Sequence, residues 1–452
     1  MLTKIEIENF RSFDEKVELN MISSSKIRIK AEHRVSTKRG LKLLKHAAIY
    51  GANAAGKSNL VNAISFIKAA VEGGLPPNSS MSFCRNRKEN MNRDTLFELQ
   101  LELNGKVYAY GFSCRLSEHR ITGEWLYELH IQGSSTCIFE RLENSKPELG
   151  ERITLSEDEK SRFNTYASDF VDNKTELFLS EMNRGKKFAE DSRLQVFREV
   201  FQWIREQIVI ITPSSRLVNF QQYYNDESLA EINRMIQTFD TGISDVRVQE
   251  IEMNDLKQAL PEYFYDKINE SIIKKSIEAP NKPVRLSGRT DTFFFSIELS
   301  SRSIVRVTTI KLRHVDASFD FGFEDESDGT RRLFDLMDML FKKDEDTVFF
   351  VDELERSLHP KLTEHFLELF GEYQVNRRVQ LIFTTHESSI MDQKLFRRDE
   401  IWFVERDNDN SSRVYSLDRF KERYDRKLSK AYLEGRYGAI PVFRKFVFAE
   451  DD

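Results

Sequence analysis

Cysteine is scarce in this sequence: Cys84, Cys114 and Cys137 are the only three among 452 residues. An odd number without a recognised spacing argues against a disulfide framework and against a zinc site built on these residues. We therefore expect a reducing, cytoplasmic setting.

Long apolar runs and an excess of either charge are also missing. No stretch approaches the ~20 apolar residues that a membrane-spanning helix requires, and the first residues lack the basic, then apolar, order of a secretory signal. The 68 basic and 74 acidic side chains leave a net charge of −6. This balance excludes a globally basic nucleic-acid coat but allows a local basic groove, and we expect no membrane contact.

Internal repeats and low-complexity tracts are not found either. No heptad pattern persists beyond a few turns, which excludes a long coiled coil. At roughly 100–200 residues per domain, the length predicts two or three domains, or one head with a large insertion.

The first positive signal is a glycine-bearing loop between a predicted strand, His46–Tyr50, and a predicted helix. Residues 51–58 match G-x-x-x-x-G-K-[ST], a pattern in which backbone amides surround phosphate groups. The Lys57 ammonium would reach the β- and γ-phosphates, and the Ser58 hydroxyl would bind Mg²⁺. The predicted nucleotide-binding residues of this loop are Gly51, Asn53, Ala54, Ala55, Gly56, Lys57, Ser58 and Asn59.

A second signal is the apolar run 348–351, which ends in two carboxylates. Such a run is typical of a buried parallel strand, whose carboxyl end faces the ligand in α/β proteins. Asp352 would hold the magnesium ion, directly or through water, and Glu353 would orient or deprotonate the attacking water. An acidic strand end is ordinary by itself, but beside a complete phosphate-binding loop it predicts a catalytic pair.

Two weaker signals come from His386 and from residues 327–330. His386 ends a third apolar strand, where a lone histidine is more often structural than catalytic. Ser327 to Thr330 precede a predicted helix, and these residues alone favour a capped helix start. The alternative is a further anion site, formed by the hydroxyl, the Gly329 amide and the helix dipole.

The middle of the chain predicts strands and then helices. From about residue 94 to 143, apolar and polar residues alternate, and Asn104-Gly105 predicts a tight hairpin in an antiparallel β arm. Ser156 and Glu159 then have the spacing of a capping box. Further along we predict helices over 194–208 and 226–239 and strands over 293–299 and 305–312.

The order of these motifs resembles that of the ABC-type ATPase heads of the RecF/SMC/OLD group. The shared features are an N-terminal strand with 9–13, Walker A, a serine–glycine signature, Walker B at Asp352-Glu353, and His386. Within the group, the chain is most similar to abortive-phage-infection ATPases such as AbiLii and the AriA component of PARIS. That similarity lies in the amino-acid sequences of the segments 326–333, 349–355, 357–360 and 431–441.

The resemblance implies an α/β fold, in which an ABC-ATPase head is interrupted by a helical insertion. The head would have a P-loop and a mixed sheet with an antiparallel β arm. We divide the chain accordingly into an N-terminal ATPase lobe with Walker A (1–93), the β arm (94–155), a mainly helical insertion (156–300) and a C-terminal ATPase lobe (301–452). The last lobe carries the signature, Walker B and the H-loop histidine.

The resemblance also implies how the cofactors, ATP and Mg²⁺, are held. ATP would lie between two subunits, with Ser327 and Gly329 of one chain contacting the γ-phosphate bound by its partner. Arg11 would lie near the phosphates, His386 would sense the γ-phosphate, and 357–359 would cross the dimer seam. Gln100, Gln221 and Gln222 all stay open as the glutamine of the Q-loop.

The function implied is an ATP-hydrolysing sensor or scaffold of an anti-phage system, controlling a separate toxic effector. The segment after His386 is too short for the TOPRIM nuclease of OLD proteins, so we expect a TOPRIM-like or other nuclease as a second polypeptide. We expect a homodimer at minimum, or a larger homo-oligomer, with a phage protein as trigger.

Two alternatives come from other classes. A RecF/SMC-like DNA-repair ATPase would clamp DNA on ATP-driven dimerisation. It would use basic clusters whose usual interpretation is a solvated face, at 184–187, 274–275, 377–378 and 397–398. A non-hydrolysing assembly module is disfavoured by Glu353, because such a site needs no water-activating carboxylate.

Overall fold

The protein forms two compact units. The computed structural model describes residues 1–130, 133–186, 188–189, 191–213, 223, 226–278, 284–290, 292–300, 303–341, 344–421 and 427–441. The first unit comprises the described parts of 1–212, 344–354 and 371–452, and the second those of 213–343 and 355–370.

The regular elements of the described residues are numbered in chain order. The strands are β1 (Leu2–Glu8), β2 (Val17–Asn20), β3 (Arg34–Ser36), β4 (Lys42–Leu44), β5 (His46–Tyr50), β6 (Thr95–Leu103), β7 (Lys106–Arg115), β8 (Arg120–Leu129), β9 (Ser135–Leu142), β10 (Glu148–Leu149), β11 (Ile208–Ile211), β12 (Ile243–Glu250), β13 (Val284–Arg289), β14 (Phe294–Ser300), β15 (Ser303–His314), β16 (Val348–Val351), β17 (Gln380–Thr385), β18 (Ile401–Arg406) and β19 (Ser412–Ser416). The helices are α1 (Lys57–Gly73), α2 (Glu157–Asp169), α3 (Phe178–Asn183), α4 (Gln195–Gln202), α5 (Asp226–Ile236), α6 (Met253–Ala259), α7 (Glu262–Glu278), α8 (Asp328–Phe341), α9 (Pro360–Tyr373) and α10 (Leu428–Leu433).

A mostly parallel sheet forms the centre of the first unit. Its strand order is β11-β16-β17-β5-β18-β19, and only the pair of β18 and β19 is antiparallel. Every residue of β5, β16 and β17 is buried, as the apolar runs predict. The carboxyl ends of β5, β16 and β17 therefore lie side by side at one edge of the sheet.

A second sheet of this unit is antiparallel, in the order β10-β9-β8-β7-β6-β1-β2. The predicted hairpin is confirmed, because Leu103 pairs with Lys106 and both turn residues, Asn104 and Gly105, have positive φ angles of 52° and 86°. The sheet also includes the N-terminal strand β1, which pairs with β6. The β arm and the start of the chain are thus parts of one sheet.

Helix α1 contributes to the same hydrophobic core as both sheets. Its apolar stripe is buried, and the Phe66 ring stacks on Phe97 of β6 with ring centroids 5.0 Å apart. Burial of each such side chain contributes about 1.5–3 kcal/mol. This packing fixes the helix that begins directly after the glycine-bearing loop.

The segment that follows the β arm confirms two predictions, the second to within one residue at each end. Ser156 caps α2, with its hydroxyl accepting from the Glu159 amide at 3.3 Å. The predicted helix over 194–208 is confirmed over 195–207, where α4 continues from Gln202 into a π turn, Trp203–Gln207. Ile208, the last residue of the prediction, instead starts β11, which pairs with Val348–Val351 of β16.

The second unit has its own antiparallel sheet, β12-β15-β14-β13. Its strands β14 and β15 confirm those predicted near 293–299 and 305–312. A separate small core joins Leu256, Phe295 and Ile297 of this unit. The segment 156–300 therefore carries strands as well as helices, and the four-segment division of the chain stays a prediction.

The predicted α/β class, with a mixed sheet and an antiparallel β arm, is confirmed. In the part of the chain that the structure describes, no helix is long and apolar enough to cross a membrane.

Candidate nucleotide-binding site

The loop between β5 and α1 has two glycines at which no larger residue fits. A Cβ on Gly51 would lie 2.3 Å from the Val404 carbonyl oxygen. Gly56 has φ +113°, and a Cβ there would lie 2.4 Å from Ser412 Oγ and 2.6 Å from Ser12 Oγ. Both positions therefore need glycine for close packing, and Gly56 needs it also for its backbone conformation.

The Lys57 side chain turns back over this loop. It is buried, and its Nζ donates to the carbonyl oxygens of Gly51 at 2.8 Å and Ala52 at 3.1 Å. The same nitrogen lies 3.3 Å from Nδ1 of His386. His386 is thus placed at the loop by the pairing of Thr385 with Tyr50 in the neighbouring strand.

A hydroxyl and a carboxylate meet beside the lysine. Ser58 Oγ donates to Asp352 Oδ1 at 3.1 Å, and the Thr384 hydroxyl donates to the same oxygen at 2.6 Å. Hydroxyl and carboxylate oxygens are the donors that Mg²⁺ prefers. Ser58 and Asp352 therefore fit the magnesium ion that the sequence predicts there.

Glu353 follows Asp352 in a conformation that is rare for residues other than glycine. Its φ is +50°, and its amide donates to the Thr384 hydroxyl at 2.8 Å. The next amide, of Leu354, donates to the Thr384 carbonyl oxygen. A non-glycine residue held in this region costs about 1–3 kcal/mol and persists where the surroundings enforce it, as Thr384 does here.

The turn after β1 also reaches the loop, through Ser12. Asn59 Nδ2 donates to Ser12 Oγ at 2.8 Å, and the Ser412 amide donates to the Ser12 carbonyl oxygen at 2.7 Å. The described contacts of Arg11 are with Ser82, through its amide, and with the Phe10 ring. The role of Arg11 at the phosphates stays a prediction, supported by the position of its neighbour Ser12.

The remaining loop residues are divided between the tip and the base of the loop. Asn53 and Ala54 are exposed, whereas Ala55 is buried. Ala54 has φ +60°, and the Ala55 carbonyl oxygen accepts a hydrogen bond from the Ser412 hydroxyl.

Ser12, Thr384 and Ser412 were not predicted as site residues. Ser12 lies in the motif segment 9–13 and Thr384 near the end of the predicted strand before His386, whereas Ser412 lies in none of the motifs found in the sequence.

Ser327 and Gly329 belong to the second unit, at the start of α8. The exposed Ser327 accepts from the Thr330 amide at 3.1 Å, which is the capped helix start that the residues alone favour. A Cβ on Gly329 would lie 2.6 Å from the Ser357 carbonyl oxygen. The signature and the segment 357–359 are therefore neighbours in this unit.

The Q-loop glutamine stays open. Gln100 lies in β6, where its amide donates to Glu98 at 2.9 Å. Gln221 and Gln222 lie outside the described residues.

The sequence matches the model of a protein family described as "AAA domain, putative AbiEii toxin, Type IV TA system". The match covers residues 47–392, more than half of the chain. It includes the glycine-bearing loop, Asp352-Glu353 and His386, and it confirms the resemblance to ABC-type ATPases of the RecF/SMC/OLD group. Among proteins with curated descriptions, no sequence matches this chain.

Solved structures of SMC heads align with the chain at low identity. One is an SMC head bound to the C-terminal winged-helix domain of ScpA, with 14% identity and a TM-score of 0.40, covering 96% of this chain and 99% of that one. The SMC head from Thermotoga maritima has 16% identity and a TM-score of 0.32, with coverages of 92% and 98%. An SMC head with an extended coiled coil, bound to the C-terminal domain of ScpA and derived from Pyrococcus furiosus, has 15% identity and a TM-score of 0.36, with coverages of 96% and 98%.

Proposed function

The chain belongs to this family of AAA-domain ATPases, and we propose that it hydrolyses ATP to control a separate toxic effector in anti-phage defence. The observation that carries the ATPase proposal is the meeting of Lys57, Ser58, Asp352 and His386 at one edge of one sheet. The defence role is supported by the family description, which includes the words "putative AbiEii toxin" and "Type IV TA system", and by the similarity of the motif sequences to those of abortive-infection ATPases.

Each residue of this edge has a distinct task in the proposed reaction. The loop amides and the Lys57 ammonium bind the β- and γ-phosphates, and the dipole of α1 adds to this attraction. Ser58 and Asp352 would hold Mg²⁺, which, when bound, neutralises charge that develops on the phosphates. Because these groups are fixed before ATP arrives, little reorganisation is needed in the transition state.

Glu353 is the proposed general base. A water molecule attacks the γ-phosphorus, the bond between this phosphorus and the bridging oxygen of ADP breaks, and the proton of the water passes to the Glu353 carboxylate. Thr384 holds the backbone that carries this carboxylate. His386, next to the Lys57 ammonium, would hydrogen-bond the γ-phosphate and so distinguish ATP from ADP.

The proposal includes a site completed by a second subunit. Ser327 is exposed at the N-terminus of α8, a helix of 14 residues, where hydroxyl, amides and helix dipole can all face a phosphate. The close approach of Gly329 to the Ser357 carbonyl holds the signature and the segment 357–359 in one surface. A homodimer is the smallest assembly in which this surface can meet the Walker A loop of another chain.

The alternative of a DNA clamp is less well supported by the basic clusters. Arg397 and Arg398 are buried, and Arg397 forms an ion pair with Asp399. Arg378 forms ion pairs with Glu102 and Asp346. These charges are used within the fold, which leaves fewer cations for the phosphate contacts that DNA binding requires.

A phage plating assay tests the proposed role. We expect Lys57→Ala and Glu353→Gln to abolish protection, and the exposed Glu372→Gln on α9 to protect like the wild type. Survival after DNA damage should be the same for all four chains. Retained protection by Lys57→Ala would contradict an ATP-dependent defence role. Sensitivity of both active-site variants to DNA damage, with salt-dependent binding of the purified protein to duplex DNA, would support the clamp instead.

A further inference from the structure

Two histidines and a glutamate converge in the first unit, away from the phosphate loop. His33 Nδ1 lies 2.9 Å and 3.1 Å from the two carboxylate oxygens of Glu400, and His46 Nδ1 lies 3.4 Å from one of them. One donor atom from each residue can be chosen so that all three lie within 4.8 Å of one another. His46 and Glu400 are buried, and His33 is half-buried.

The fold brings these residues together through β5, β18 and the short turn before β3. His46 is the first residue of β5, and Glu400 directly precedes β18, which pairs with β5 in the register Ile401 to Ala48. His33 ends a short 3₁₀ turn before β3, and its carbonyl oxygen accepts from the Lys45 amide at 2.9 Å. The cluster therefore ties the segment before β5 to the amino-terminal edge of the parallel sheet.

The glutamate is held in place by groups around it. The Arg397 amide donates to Glu400 Oε2 at 2.8 Å. The Arg397 guanidinium is fully buried, binds both oxygens of Asp399 and donates to the carbonyl oxygens of Ile27 and Ile29. A donor to a ligand carboxylate, such as the Arg397 amide here, fixes the orientation of that ligand, and outer groups of this kind contribute about 10–100-fold to metal affinity.

We propose that His33, His46 and Glu400 bind a Zn²⁺ ion. Two imidazole nitrogens and a carboxylate oxygen form a donor set typical of zinc, which takes nitrogen and oxygen ligands at about 2.0–2.2 Å in tetrahedral geometry. Two such ligands are about 3.3 Å apart in a tetrahedron of this size, close to the separations of 2.9 Å and 3.4 Å between histidine and carboxylate atoms. The ion would replace the imidazole protons that otherwise donate to the carboxylate.

This site is separate from the proposed ATPase site. His46 and the phosphate loop lie at opposite ends of β5, a strand of five residues that spans about 13 Å at 3.3 Å per residue. The ion would stabilise the connection between the segment before β5 and the sheet. We therefore expect its loss to lower thermal stability and to leave ATP binding unchanged.

Metal analysis of the full chain tests this inference. We expect about one zinc ion per chain after gel filtration, less than about 0.1 in His33→Gln and Glu400→Gln, and an unchanged content in the control His130→Gln, whose hydrogen bond is to Thr136. Added ZnCl₂ should raise the melting temperature of the chelator-treated wild type by several degrees and should not shift that of His33→Gln. Nucleotide binding by His33→Gln should equal that of the wild type.

Cobalt(II) substitution keeps the inference testable if a variant fails to fold. The wild type, treated with chelator and then loaded with Co²⁺, should show the intense visible absorption of a tetrahedral site, which Zn²⁺ should displace. A zinc content near zero with no cobalt spectrum would overturn the inference and leave a hydrogen-bonded cluster only. Iron in place of zinc at the same residues would overturn the assignment of the metal.

Discussion

The Ser58 hydroxyl donates a hydrogen bond to Oδ1 of Asp352, across 3.1 Å in space and 294 positions in sequence. The first turn of α1 and the end of β16 therefore meet at one point. The contact depends on the parallel register of β16, β17 and β5, which places the ends of these strands side by side.

This contact predicts that Ser58 and Asp352 act together on the magnesium ion. We expect Ser58→Ala and Asp352→Asn each to lower kcat at least about 100-fold, a loss of about 2.7 kcal/mol in transition-state stabilisation, and to raise the Mg²⁺ concentration needed for turnover. Steady-state ATPase assays over a range of MgCl₂ measure both effects. Ser65→Ala, on the same helix α1, is the matched control and should behave as the wild type.

Thr384 is predicted to be a positioning residue. Its hydroxyl connects the Asp352 carboxylate to the Glu353 amide, so Thr384→Val should lower kcat by about 10–100-fold with little change in KM. Thr384→Ser keeps the hydroxyl and should restore most of the rate. Thr385→Val removes a neighbouring hydroxyl that accepts from the Glu387 amide. An equal loss of kcat in that variant would argue against a specific role for Thr384.

Gly56 is predicted to tolerate no side chain. Gly56→Ala would place a methyl group against the Ser12 and Ser412 hydroxyls at a φ of +113°, so we expect ATP binding to be lost and stability to fall by about 1–3 kcal/mol. Gly73→Ala, at the end of α1, meets no atom within 4 Å and should be neutral or stabilising by up to about 1 kcal/mol. Urea unfolding and nucleotide titration measure both. Unimpaired ATP binding by Gly56→Ala would contradict the packing described for the loop.

Glu124 gives a prediction about pH. This buried carboxylate accepts from the amides of Phe178 and Leu179 at 2.6 Å and 2.9 Å, and from the Tyr110 hydroxyl. Burial nevertheless raises its pKa above the ordinary 4.5. Because the folded protein then holds this proton more tightly than the unfolded chain does, the contribution of Glu124 to stability falls as pH rises through the raised pKa.

Glu124→Gln removes that titration. We expect the variant to be less stable at low pH, because its amide nitrogen cannot accept the hydrogen bond that Phe178 or Leu179, in the first turn of α3, donates to Glu124. The difference in unfolding free energy between the wild type and Glu124→Gln should shrink as pH rises from 4.5. Urea unfolding at several pH values measures this difference. A difference that grows with pH would show that burial does not raise the pKa of Glu124.

The sequence predicts those site residues that lie in a short motif directly after a predicted strand. Lys57, Ser58, Asp352 and Glu353 belong to this class, since each sits in a short pattern with its own chemistry. Ser12 and Ser412 do not, because their contacts with the loop depend on how distant segments fold together.

The same limit applies to the fold. The run Ile208–Ile211 has the composition of either a buried helix end or a short strand, and only its pairing with β16 decides between them. The participation of β1 in the sheet of the β arm depends on pairing with β6, about 90 residues later. The alternation of apolar and polar residues predicts each strand, but it does not predict which strands pair with it in the sheet.

An ATPase site completed by a second subunit requires intact residues from two chains, and mixing two inactive chains tests this requirement. Lys57→Ala lacks its own phosphate-binding lysine, and Ser327→Arg blocks the signature that it offers to a partner. In a 1:1 mixture, half of the dimers are mixed and one of their two sites has both parts intact, so turnover should return to about a quarter of the wild-type rate. No recovery on mixing, or full turnover by Ser327→Arg alone, would show that the ATPase site is not shared between two subunits.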